Sequence, residues 1–280
     1  MHPFLFRVLG RDIPTFGIMM LIGIGAGLLA VTLLCNPSRK NRNIRRMDML
    51  MSCGIAVFGA LFGASMLRPL MKLPEVIIKW DVFGQYTADT LLNYLFGEKI
   101  FYGGLIGGAL AMLIFCKSLK IPLIPMFDAF AIGVPLGQAF GRVGCLMAGC
   151  CYGVKVDSNH PFAIVYPQIS LSAPPGVPLL AIPVIEAVIL LVISTVVGFT
   201  YIKSRAKGLC VGLYLSLYAI ARFILEFFRG DVIRGMYGLF STSQYISFGA
   251  LVAGGLFLIY ANRSRKEHIN IYRDEGETTW

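Results

Sequence analysis

Seven apolar stretches run along this chain, at about 15–34, 49–70, 101–115, 125–148, 179–202, 209–228 and 245–260, and short segments rich in Lys and Arg separate several of them. A helix of about 20 apolar residues matches the hydrocarbon thickness of a bilayer. In that medium the backbone must satisfy its own hydrogen bonds, so each stretch is read as a helix. Composition agrees, with 56% hydrophobic and 14% charged residues, against about 25% charged in a typical soluble domain. The expected fold is all-α: a polytopic integral membrane protein with about seven transmembrane helices, forming one domain over residues 1–280. Residues of about 71–99 and 149–178 are expected as outer segments. The first is mixed and partly amphipathic, suited to a half-buried or interfacial position. The second is proline-rich and lacks helical periodicity.

The formal charge of +10 does not call for a nucleic acid. Arg39, Lys40, Arg42, Arg45 and Arg46 follow the first stretch, Lys117 and Lys120 the third, and Lys203, Arg205 and Lys207 the fifth. Arg263, Arg265, Lys266 and Arg273 lie in the tail. Basic residues in short loops mark the cytoplasmic side. The pattern therefore predicts the N-terminus outside, the C-terminus in the cytoplasm, and Arg142 ending its helix on the outer side. Residues 1–14 lack the organisation of a cleaved leader, and none is expected.

Charged side chains inside apolar stretches need a partner or a task, because each costs at least about 2.5–3.5 kcal/mol at the bilayer centre. Tyr218, Arg222, Glu226 and Arg229 are spaced four, four and three, on one helical face. Glu226 can pair with Arg222 one turn back and Arg229 one turn on. Arg142 lies at a similar depth in the fourth stretch, and Asp128 and Gln138 are polar in the same run. Two readings stand: an ion-pair ladder joining helices, or an anion site in which surplus guanidinium meets a lipid phosphate. Gly133, Gly137 and Gly141 recur every fourth residue and make a smooth strip. The pairs Gly103-Gly104 and Gly107-Gly108 make room either for an acyl chain or for a neighbouring helix.

Cys145, Cys150 and Cys151 are the local cysteine pattern; Cys35, Cys53, Cys116 and Cys210 fall in or beside apolar runs as small hydrophobes. A structural zinc site wants a fourth ligand and usually paired Cys-x2-Cys spacing, which is not present, so no metal or cofactor is expected. A disulfide between Cys145 and one of the other two, a reactive thiol poised by arginine, and plain packing residues remain open. His2, His160 and His268 lie near the ends or in loops. Only His160 could fold back toward a site.

With these motifs in view, most of the chain resembles the prolipoprotein diacylglyceryl transferases of the bacterial inner membrane. The carrying residues are Gly103 to Gly107, then Gly141, Arg142 and Gly144 through to Gly153. Tyr218, Arg222, Phe223, Glu226 and Arg229 follow, ahead of Asp231, Gln244 and Ser247, with Glu186 at the family's fifth-span glutamate. The resemblance implies a multi-pass inner-membrane enzyme with seven spans and an outer N-terminus. It would move the diacylglyceryl group of phosphatidylglycerol onto the lipobox cysteine thiol of a preprolipoprotein and release glycerol phosphate. The partners implied are that phospholipid and the preprolipoprotein signal peptide.

Carried over, Arg142, Arg222, Tyr102, Tyr218, Glu226 and Cys145 occupy catalytic positions. Gly103, Gly104, Arg142, Gly144, Gly153, Arg222, Arg229 and Gln244 occupy substrate-binding ones. Departures surround the reacting centre. Tyr102 replaces the family histidine, Cys145 an asparagine, Ala148 and Cys150 a second asparagine and a glutamate, and Pro183-Val184-Ile185 a Gln-Leu-Tyr. A tyrosine is a weak general base at its ordinary pKa near 10. Retained arginines with an altered centre leave two further readings: a phospholipid-using transferase with another acceptor, or a phospholipid-binding protein without transfer.

Overall fold

The computed structural model describes residues 4–8, 11–34, 45–96, 101–204, 206–231 and 236–277. Nine helices are found among them: α1 Thr15–Leu34, α2 Arg46–Ile78, α3 Trp80–Phe83, α4 Ala88–Phe96, α5 Phe101–Ser118, α6 Leu123–Ala148, α7 Ile182–Lys203, α8 Leu209–Glu226 and α9 Thr242–Glu277. Six helices are long and apolar enough to cross a bilayer, and a further apolar helix, shorter, covers Ile106–Ser118. The protein is an all-α, multi-pass membrane protein. Of the basic clusters, residues 39–44 and Arg205 lie outside the described residues.

The chain forms two compact units, one of Met1–Asn41 with Phe127–Trp280 and one of Arg42–Met126. In the second, α2 and α5 cross at backbone contact. A methyl group on Gly63 would stand 2.2 Å from the Gly103 carbonyl oxygen, and one on Gly107 would stand 2.4 Å from that of Gly59. Gly104 and Gly108 meet Ala60 and Ala56 in the same seam. Between an acyl chain and a neighbouring helix, it is the helix that occupies the space at these glycine pairs. Small residues permit such close approach where lipid supplies no hydrophobic drive.

The second apolar stretch, expected to end near residue 70, continues to Ile78 through Pro69 and Pro74. At about 1.5 Å per residue this helix is about 50 Å long, well beyond a core of about 30 Å. Its polar end carries Glu75, which accepts from Lys72 Nζ at 2.9 Å and from Tyr94 Oη of α4 at 3.2 Å. The expected amphipathic segment thus resolves into the end of α2, the single turn α3, and α4. Nine residues long, α4 is too short to span and buries no residue fully.

In the first unit, α1 lies against α6 along the predicted strip: a methyl on Gly27 would be 2.6 Å from the Gly133 oxygen, and one on Gly23 2.7 Å from that of Gly137. Asp128, wholly buried on α6, caps the start of α8. It accepts from the backbone N–H groups of Gly208 (2.7 Å), Cys210 (3.0 Å) and Val211 (3.1 Å). These are donors that a helix leaves unsatisfied at its N-terminus, where negative charge also suits the helix dipole. The position before α8 is Gly208 at φ +87°, with no side chain of its own to cap. α9 begins with a reciprocal box: Gln244 N–H donates to Ser241 Oγ (3.3 Å), and Ser241 N–H donates to Gln244 Oε1 (2.9 Å).

The non-helical stretch after α6 carries a short antiparallel pair, β3 Ala163–Val165 with β4 Pro178–Leu180. It has its own small core of Tyr152, Tyr166, Ala173 and Leu179. Two further strand pairs were not evident from the sequence. β1 Phe4–Val8 pairs with β2 Arg11–Pro14, and β5 Met236–Tyr237 pairs with β6 Phe240–Ser241.

Candidate active site

α7 opens with proline near its first position, which needs no backbone N–H. One turn on, Glu186 enters the interior and is only 2% exposed. A bare carboxylate there would be prohibitive, and three neighbours answer it. Arg142 Nη2 of α6 lies 2.9 Å from Oε1, Tyr218 Oη of α8 donates to Oε1 at 3.3 Å, and Arg222 Nη1 stands 3.8 Å from Oε2. Arg222 Nη2 in turn reaches Glu226 Oε2 at 2.8 Å and donates to Ser243 Oγ of α9 at 3.0 Å. Nη1 of Arg222 is buried and makes no hydrogen bond among the described residues. Tyr218 is held by a stacked Tyr214 at 6.0 Å, whose hydroxyl donates to Gln138 Oε1 at 3.1 Å.

The helical spacing of four therefore does produce the Arg222–Glu226 pair. Arg229 lies past the end of α8 and engages Asp231 through both Nε (2.9 Å) and Nη2. Its backbone bridges antiparallel to Gly153. Gly153 donates its N–H to Leu180 O at 2.9 Å, and a methyl on it would sit 2.7 Å from that oxygen. A side chain has no room at Gly153.

The expected surplus of guanidinium is not what these six side chains show. Arg142, Arg222 and Arg229 face Glu186, Glu226 and Asp231, three charges of each sign. Glu186, outside the residues singled out as catalytic, is the hub. Its sequence signal was a lone carboxylate early in an apolar run, and its partners come from helices distant in sequence.

Other expected site residues fall as follows. Gly144 turns to α1, where a methyl would meet Phe16 at 3.1 Å. Gln244 uses its side-chain oxygen to cap α9. Tyr102, Gly103 and Gly104 lie in the first turn of α5, in the other compact unit, and the Tyr102 side chain lies outside the described residues. His160 is exposed, and its Nδ1 accepts from the Phe162 N–H at 3.2 Å.

Cys145, Cys150 and Cys151 come together. Gly149 ends α6 with φ at +69°. Its N–H donates to Leu146 O (3.2 Å) and the Cys150 N–H to Cys145 O (3.1 Å), the paired bonds of a Schellman cap. That cap folds Cys150 and Cys151 back over the last turn of α6. The three Sγ atoms lie within 4.8 Å of one another. Hydrogen bonds with Cys145 and Cys150, and then the charges of Arg229 and Arg142, hold the Cys151 thiol well below the usual range. Hydrogen bonds with Cys145 and Cys151, together with burial, push Cys150 up.

Residues 3–260 match the family model described as prolipoprotein diacylglyceryl transferase. The chain is 32% identical over 264 residues to phosphatidylglycerol–prolipoprotein diacylglyceryl transferase 2 of Clostridium perfringens, covering 93% of this chain and 96% of the relative. A phosphatidylglycerol–prolipoprotein diacylglyceryl transferase of Clostridium tetani is 28% identical over 267 residues, covering 95% and 100%. One of Clostridioides difficile is 28% identical over 265 residues, covering 95% and 97%. An arginine–carboxylate cluster on the apolar helices α6, α7 and α8, in a sequence of which residues 3–260 match the family model, places the chain in the prolipoprotein diacylglyceryl transferase family.

Proposed function

We propose that this protein moves the diacylglyceryl group of phosphatidylglycerol to the lipobox cysteine thiol of a preprolipoprotein. The accepting sulfur forms a thioether bond to the glyceryl carbon as the carbon–oxygen bond to phosphate breaks, and glycerol phosphate leaves. The acceptor's thiol proton must be removed. The observation that carries this reading is the convergence of Arg142 and Arg222, from separate helices, on buried Glu186. Two guanidinium groups fixed at one place in low dielectric suit charge that grows on a departing phosphate. Carboxylate partners hold them in position before substrate arrives, and Tyr218 orients Glu186. Because the cluster is balanced in charge, the phosphate competes with Glu186 for arginine donors.

In the same reading the whole chain, 1–280, works as one transferase domain in the bacterial inner membrane. It has seven spans, α1, α2 and α5–α9, with the N-terminus outside and the C-terminus cytoplasmic. Glu226 takes part in the reaction beside Arg222. Gly144, Gly153, Arg229 and Gln244 shape the substrate site.

The test is complementation of a bacterium depleted of its own transferase, scored by diacylglyceryl modification of a reporter lipoprotein. Arg142→Ala and Arg222→Ala, each checked for folding by size exclusion in detergent, are expected to abolish modification. Normal modification by either folded variant removes the phosphate assignment. The cysteine at position 145 and the tyrosine at 102 favour one second reading, a transferase with the same donor and a different acceptor. Turnover of phosphatidylglycerol without lipidated peptide would select it. Binding without turnover would select a phospholipid-binding role.

A further inference from the structure

We propose that Cys145, Cys150 and Cys151 form a three-thiolate binding site for a thiophilic metal ion, zinc(II) or copper(I). Three sulfur atoms from one short segment lie within 4.8 Å of one another. Around a tetrahedral ion with sulfur bonds of about 2.3 Å, ligand sulfurs sit about 3.8 Å apart. A contraction of about 1 Å at most converts the observed set into a coordination shell, within reach of small side-chain rotations. Soft thiolates select zinc and copper(I) over the hard cations.

Spacing alone argued against a metal, because Cys-x4-Cys-Cys is not the usual paired pattern. The tertiary turn answers that objection. The Schellman cap at Gly149 reverses the chain, so that sulfurs separated by five and six positions in sequence face one point. The turn is built for one geometry. Gly149 lies at φ +69°, and a methyl on it would be 2.4 Å from Ser170 Cβ. Cys151 itself is held at φ +60°, a left-handed conformation that non-glycine residues seldom adopt. Leu171 and Ala173 donate their N–H groups to Ala148 O and Gly149 O at 3.0 Å each, which ties the turn to the following loop.

The surroundings fit a charged ion–sulfur group. Three thiolates leave a net negative charge around either ion, and the guanidinium groups of Arg142 and Arg229 lie close enough to act on Cys151. Tyr166, 1% exposed, has a buried hydroxyl with no hydrogen-bond partner among the described residues. All three cysteines act on it electrostatically. A phenol that could donate to a metal-bound thiolate is the outer-shell support such sites use. No fourth His, Cys, Asp or Glu joins the group among the described residues, so the shell is three sulfurs with one position left for an outside ligand. A disulfide would use two of these sulfurs and a nucleophile only one. A metal ion uses all three.

The full chain, purified in detergent under reducing, oxygen-free conditions, is loaded separately with zinc(II) and with copper(I), then desalted and measured by elemental mass spectrometry. About one ion per chain is expected in at least one arm, and the arm that retains it identifies the metal. Cys150→Ser and Cys151→Ser are each expected to lower retention at least about tenfold. Cys53→Ser, a half-buried cysteine on α2, should leave retention unchanged. Size exclusion and thermal unfolding confirm that each variant is folded, and cobalt(II) loading should give a thiolate charge-transfer band that Cys150→Ser loses. Retention in the parent no higher than in Cys150→Ser, in both arms, overturns the proposal. So does a disulfide among the three in protein alkylated directly in its native membranes. Neither result bears on the transfer reaction, which the complementation assay reads separately.

Discussion

Replacing Glu186 with glutamine keeps the volume and one acceptor oxygen but removes the charge at the hub of the cluster. Glu186 faces Arg142 at 2.9 Å, Tyr218 at 3.3 Å and Arg222 at 3.8 Å, at 2% exposure. Deleting one partner of a buried ion pair costs about 3–5 kcal/mol, and a charge-assisted hydrogen bond is worth about 1.5–3 kcal/mol. Glutamine still accepts a hydrogen bond, so the expected loss for Glu186→Gln is about 2–3 kcal/mol, below that for deleting an ion-pair partner and within the range for a charge-assisted hydrogen bond. At about 2–4 °C per kcal/mol for chains approaching this length, melting in detergent should fall by about 4–12 °C. Arg142 and Arg222 would then have only Glu226 and neutral acceptors to hold them. Transfer should drop at least about tenfold, equivalent to about 1.4 kcal/mol of transition-state stabilisation. Glu186→Asp, which keeps the charge and retracts it by one methylene, should fall between parent and Glu186→Gln. The assays are thermal unfolding followed by tryptophan fluorescence and lipidation of a lipobox peptide with phosphatidylglycerol as donor. If Glu186→Gln melts and turns over like the parent, the carboxylate is not what positions the arginines, and the site is assembled some other way.

Asp128→Ala should destabilise the protein by about 2–3 kcal/mol, because it strips the α8 N-terminus of its buried acceptor; Asp128→Asn should recover part of the loss in the same melt. Gly27→Ala should destabilise while Gly25→Ala does not, since a methyl at Gly27 meets the Gly133 oxygen at 2.6 Å and one at Gly25 meets open space. Equal melting of the two would contradict the α1–α6 backbone contact. Cys145→Asn, which installs the family residue, is expected to keep complementation activity. A large loss would assign the thiol a part in the reaction.

Much of the architecture follows from local pattern. An apolar run long enough to cross a bilayer can only be helical, and α1 occupies its expected limits because nothing polar interrupts it. The four-residue spacing on α8 likewise determined the Arg222–Glu226 pair, since one turn of helix is the whole distance involved. The apolar run ends near residue 70, but the helix runs on through Pro69 and Pro74 to Ile78. Proline costs a helix one hydrogen bond, and neighbouring structure makes that tolerable, so α2 continues where a boundary was expected.

What tertiary structure alone decided involves partners distant along the chain. Asp128 looked like an isolated intramembrane charge until α8 was placed over it, 80 residues later in sequence. Glu186 became the hub only when α6 and α8 delivered Arg142 and Tyr218 to it. The charge balance also depended on Glu186, whose pairing with Arg142 on another helix no spacing rule encodes. The cysteines divide most clearly. Their order in the chain spoke against a shared ion, whereas the left-handed cap at Gly149 put their sulfurs together. Sequence determines which groups must find partners, because burial of charge and backbone has a known cost. Which partners they find depends on how the helices cross, and in this chain those crossings are set where glycine meets glycine across α1–α6 and α2–α5.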